Sequence, residues 1–118
     1  MSNDSYYRIP KFLFFDERYS SMSDSAKLLY SLILDHFETA LAVGQVDEQG
    51  NAFIHLSVRD IAKNLFCGRD KATNLLIELG SEKGVGLINR ISHGVGKTAS
   101  IYINPIDAIQ KNGGTHHE

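Results

Sequence analysis

Residues 94–98 read Gly-Val-Gly-Lys-Thr, and a glycine-rich run ending in Gly-Lys-Thr is the closing half of a loop that wraps nucleotide phosphates. The full pattern needs a glycine at position 91, where Ile91 stands, and a helix afterwards whose N-terminal amides cradle the phosphate. A β-rich run follows instead, so the glycines read as a hairpin tip with Lys97 exposed at its apex. Of the five histidines, His36, His55, His93, His116 and His117, only the last pair has ligand spacing, and nothing follows to complete a coordination sphere. Cys67 stands alone, which excludes an internal disulfide framework and a cysteine-built zinc site. It sits beside Phe66 between two helical runs and reads as a small buried hydrophobe. The acidic pairs Asp16-Glu17 and Asp47-Glu48 look like loop surface. No nucleophile, base and oxyanion set can be assembled, so no enzyme, cofactor or metal is expected.

A different chemistry fits the side chains Arg69, Lys71, Thr73 and Asn74. They lie opposite or beside a leucine stripe, near the start of a helix, where a recognition helix places the groups that reach base edges. Arginine pairs with guanine O6 and N7, and asparagine pairs in a bidentate way with adenine. Arg59, Lys63, Arg90 and Lys97 are better suited to phosphates. The charge pattern agrees. Residues 12–56 hold two basic and seven acidic side chains, whereas residues 57–98 hold seven basic and four acidic. The whole chain carries a formal charge of only −2, so its bulk charge alone predicts no polyanionic partner.

The elements that would position these groups follow from periodicity. Residues 1–22 read as an N-terminal arm: Pro10 biases Ile9 toward an extended conformation, and the apolar run 12–15 leads into a compact turn. Ser23 then caps a helix of about four turns, with Ala26, Leu29, Tyr30, Ile33, Leu34 and Phe37 at helical spacing. Leu28 and Leu32 add a second stripe, to be buried in the core or against a partner subunit. The alternating run 52–56 predicts a strand, and Ser57 with Asp60 a capping box that opens a short helix. A further helix is expected over 69–81, and the three-residue break containing Gly68 makes the pair a helix-turn-helix. Two β-runs, 87–93 and 100–104, then form a hairpin, and 106–118 decay into a polar tail or linker. The expected fold is α+β: a winged helix-turn-helix over 23–105, with three main helices and a C-terminal β-hairpin wing.

With 118 residues, 42% hydrophobic and 22% charged, the chain is sized and composed for one folded domain. No apolar run is long enough to span a membrane and the N-terminus lacks a secretory pattern, so a cytoplasmic protein with no membrane partner is expected.

Several phrases are more specific than this outline: YRIPKFLF at 7–14, SDSAKLLYSLILDH at 23–36, DEQGNAFIHLSVRDIAKNLFCGRDKATNLLIEL at 47–79 and GLINRISHGVGKTASIYI at 86–103. Together the chain resembles the N-terminal domain of plasmid replication initiator protein A of Gram-positive bacteria, over about residues 6–105. Val46 stands where that family often has an aromatic residue. The resemblance implies a winged helix that binds repeated double-stranded sites at a replication origin as a homodimer. It would lie at the front of a longer initiator whose C-terminal part recruits host replication proteins. It maps the recognition helix onto Arg69, Lys71 and Asn74, the wing tip onto Lys97, and the arm onto Tyr6, Tyr7 and Arg8. The alternatives are a transcriptional repressor on the same fold, or a protein-docking winged helix using Phe12–Phe15, Leu28 and Leu32.

Overall fold

The computed structural model describes residues 5–105; the expected tail, with His116 and His117, and the first four residues of the arm lie outside them. The elements are α1 (Phe12–Phe15), a 3-10 turn (Glu17–Tyr19), α2 (Asp24–Val43), β1 (Ile54–His55), α3 (Val58–Leu65), α4 (Arg69–Leu79), β2 (Ile88–Ile91) and β3 (Ser100–Ile103). The sheet has three strands in the order β1-β3-β2, antiparallel throughout, with Ile54 opposite Ile101 and Arg90 also opposite Ile101 on the other side. This is the order and topology of a winged helix, as expected. Among the described residues no helix is long and apolar enough to cross a membrane.

Local chemistry accounts for the helix starts. Ser23 Oγ accepts the Ala26 N–H at 3.1 Å and so satisfies one of the orphan amides of α2. Ser57 and Asp60 form the expected capping box, with the Asp60 N–H on Ser57 Oγ at 3.0 Å and the Ser57 N–H on Asp60 Oδ2 at 3.4 Å. The same Ser23 is also held from a distance. Its N–H and Oγ–H donate to Glu78 Oε2 and Oε1 at 2.6 and 2.8 Å, tying the start of α2 to the last turn of α4.

The core lies where α2, α3 and α4 pack on one face of the sheet: Leu29, Tyr30, Ile33, Ile61, Leu76, Leu79, Leu87, Ile88 and Ile101 are all buried. Three expectations need correction here. The arm is not merely extended: residues 12–15 form a helical turn, and Leu13, Tyr19 and Met22 belong to the same hydrophobic cluster, so the core crosses the boundary expected at residue 22. The Phe12 ring sits 5.4 Å from Tyr19 and 6.5 Å from Tyr30, and this aromatic packing gives the segment its shape. Helix α2 runs 20 residues, well past Phe37, because Ala40 still faces the core and Gly44 caps its end. Of the second stripe, Leu32 is buried and Leu28 is half exposed.

The acidic loop between α2 and β1 is pinned by Asp47. Its Oδ1 accepts the N–H groups of Gln49 and Asn51, both at 2.9 Å, and its Oδ2 accepts the Tyr102 hydroxyl from β3 at 2.9 Å. The Asn51 N–H above all holds the Asp47 carboxyl below its ordinary pKa, with the Tyr102 hydroxyl and the Gln49 amide adding to it. A group whose folded pKa is depressed adds stability above its unfolded pKa, and loses it as pH falls through the folded value. Asp47→Ala is therefore expected to lower the urea midpoint at pH about 6, with the deficit against the unmodified protein shrinking toward pH about 3. An unchanged deficit at both pH values would contradict this role.

Candidate nucleic-acid interface

Helix α4 carries the candidate base-reading groups, and its burial pattern fixes which side faces out. Ala72, Leu75, Leu76 and Leu79 are buried, and at about 100° per residue they define one inner stripe. The direction opposite runs through Asp70, Asn74 and Ile77, with Thr73 beside them. Arg69 and Lys71 flank this face on either side. All of them are exposed except Thr73, which is half-buried.

Helix α3 packs against α4 and presents Arg59 and Lys63, one turn apart and both exposed, on its outer face. Between them the turn contains Phe66 in the left-handed region, at φ 52° and 96% exposed, and Cys67, half-buried where a buried side chain was expected. On the other flank of α4 lies the wing. Lys97 is exposed in the loop joining β2 to β3, where Gly94 and Gly96 take φ values of 110° and 80° and the Lys97 N–H donates to the Gly94 carbonyl at 3.2 Å. Strand β3 follows, so Gly-Lys-Thr is the tip of a hairpin. Arg90 on β2 faces a groove of about 400 Å³ between the wing and the second half of α4, lined also by Ile77, Lys83, Asn89 and Ser92.

The electrostatics separate these cations from those of the N-terminal segment. Among the described residues, Arg59, Lys63, Arg69, Lys71, Arg90 and Lys97 have no carboxylate within ion-pair distance. Arg18, in contrast, is paired with Asp16, whose hydrogen bond raises the guanidinium pKa further. Arg8 lies 4.0 Å from Glu38, and the groove around it is lined by the arm and by α2 residues including Asp35. The structure thus brings the α3, α4 and wing residues onto neighbouring elements but leaves Arg8 beside the acidic side chains Asp35 and Glu38 of α2, with Tyr7 exposed on the arm.

Asp70 and Ile77 were not legible as candidates from sequence. An acid in the first turn of a helix reads as a partner for the helix dipole, and an isoleucine after a leucine stripe reads as core. Only the burial of the other α4 residues shows that both share the outward face with Asn74.

Comparison with known proteins gives a consistent picture. Residues 5–115 match the family described as replication initiator protein A (RepA) N-terminus. A "41 kDa protein" of Lactobacillus helveticus is 26% identical over 78 residues, and this match spans 64% of the chain and 22% of that relative's length. Among solved structures, one described as "Structure of Rep-DNA complex" superimposes with a TM-score of 0.71 at 24% identity, covering 96% of this chain and 90% of the other. An "N-Terminal domain of DNA binding protein" gives 0.69 at 25% identity, covering 96% and 89%. A "Structure of MDR initiator" gives 0.69 at 24%, covering 92% and 88%. The fold, the ordered motifs and a family match over nearly the whole chain agree, and the chain belongs to the N-terminal family of replication initiator protein A.

Proposed function

We propose that this domain binds double-stranded DNA in a sequence-specific way, at repeated sites of a plasmid replication origin, and so serves as the origin-binding module of a replication initiator. The observation that carries the reading is the row of exposed cations on α3, α4 and the wing, without ion-pair partners among the described residues, around an outward face bearing Asn74. Family membership and the likeness to a Rep-DNA complex support it. In this reading Arg59, Lys63, Arg69, Lys71, Arg90 and Lys97 neutralise phosphates or pair with guanine, and Asn74 and Thr73 read base edges. The domain acts in the cytoplasm as a homodimer, performs no catalysis itself, and the remainder of a longer initiator engages host replication proteins. Titration of duplexes from the origin of the parent replicon, against shuffled duplexes, tests it. The origin duplex should bind at least about 1,000-fold more tightly, with an affinity that falls steeply with salt. Equal binding to both, or none at low salt, would overturn it.

A second reading, docking of a protein partner, rests on Phe14, Phe15 and Leu28, which remain 60%, 79% and 50% exposed near the start of α2. The same titration separates the two, since a docking module would shift neither duplex.

A further inference from the structure

Helix α4 has one exposed large apolar side chain, Ile77, at 42% exposure, whereas its leucines are 5% exposed or less. An isoleucine there does no work for the core. It stands one turn beyond Asn74 and two turns beyond Asp70, so the three side chains form a single row along the outer surface of the helix. It also lies at the lip of the groove between α4 and the wing, where Lys83 and Arg90 supply two positive charges against the single carboxylate of Glu82, and Asn89 and Ser92 supply hydrogen-bonding groups. An apolar side chain thus stands at the edge of the candidate interface, at the lip of a groove of mixed lining that carries two cations.

A DNA major groove offers one apolar group on its base edges, the 5-methyl of thymine. We propose that Ile77 is a specificity-determining residue that packs on a thymine methyl in the bound duplex, while Lys83 and Arg90 hold a neighbouring phosphate in the groove beside it. This rests on the DNA-binding reading above and deepens it. A helix that lays Asn74 against a base pair places Ile77 about one turn further along the same groove. The two cations then keep the backbone from pulling that contact apart. Without a methyl to cover it, Ile77 would stay wet in the complex and gain nothing.

The test uses a duplex selected by the unmodified domain from a random library, with each thymine in turn replaced by deoxyuridine, which lacks only the methyl group. For the unmodified domain, one thymine per bound copy should be sensitive, its loss weakening binding about fourfold, the worth of one buried methyl. In Ile77→Ala the thymine duplex should bind several-fold more weakly, and the deoxyuridine effect at that position should vanish. Ile77→Val, which keeps branched methyls, should retain part of it. Circular dichroism on both variants confirms that the helices are intact. The inference falls if no thymine is sensitive, or if Ile77→Ala keeps the full deoxyuridine effect. Failure to select any duplex would sink the DNA-binding reading itself. Selection of a site that depends on Asn74 but is blind to the methyl would sink only the role given to Ile77.

Discussion

Replacing Gly84 with alanine is expected to lower stability by about 3 kcal/mol or more, a shift of roughly 12 °C or more in Tm for a domain of this size. A Cβ at Gly84 would stand 1.9 Å from the Glu78 carbonyl oxygen and 2.4 Å from both the Glu78 carbonyl carbon and the Ile77 oxygen. All three are backbone atoms of the last turn of α4, so no rotamer change relieves the clash. The chain cannot simply back away. The Val85 N–H donates to that same Glu78 carbonyl at 2.8 Å, the Gly86 N–H to Gly80 at 2.9 Å and the Leu87 N–H to Leu79 at 2.9 Å. Leu87 and Ile88, fully buried, follow directly, so any retreat draws the root of β2 out of the core. Gly68→Ala is the control. Nothing lies within 4 Å of its added Cβ and its φ of −78° suits any residue, so a cost of about 1 kcal/mol or less is expected. Thermal unfolding of both variants checks the contrast, and a Gly84→Ala domain melting within about 2 °C of the unmodified one would refute it.

Reversing Arg69 and Lys71 together, to glutamate, should weaken binding to the selected duplex by about 100-fold or more, since each such contact is worth about 1–3 kcal/mol. The sign of the accompanying stability change makes the test informative. Both residues sit in the first turn of α4, where negative side chains favour the amide end of the helix dipole, and both are exposed without an ion-pair partner among the described residues. The double variant should therefore melt at the same temperature or slightly higher while losing its affinity. Loss of binding together with early melting would point to a folding defect. Retained binding would show that these two cations lie off the DNA path.

The main helices and the wing were readable because each rests on a local signal: a serine cap at Ser23, a reciprocal box at Ser57 and Asp60, leucines at helical spacing, and glycines at a hairpin tip. The parts that escaped depend on tertiary contact. Helix α1 has only four residues, too few to show a period, and its shape comes from Phe12 packing on Tyr19 and Tyr30 far along the chain. The extension of α2 depends on Ala40, whose small side chain carries little hydrophobic signal but is 4% exposed in the core. The candidate interface divides in the same way. Its cations were visible as a charge pattern, yet the outward centre of α4 at Asp70, Asn74 and Ile77 is set by which neighbours α4 buries. The clamp of Glu78 on Ser23 joins residues 55 positions apart and has no sequence signature.

Everything functional turns on whether the exposed side of α4 and the wing beside it meet the duplex. Titrating the isotope-labelled domain with its selected duplex, and following the backbone amide resonances, addresses this directly. The largest shifts are expected along residues 69–77 and 94–98, with smaller ones at Lys63 and Arg90. Shifts concentrated instead at Phe14, Phe15 and Leu28, with α4 silent, would contradict it.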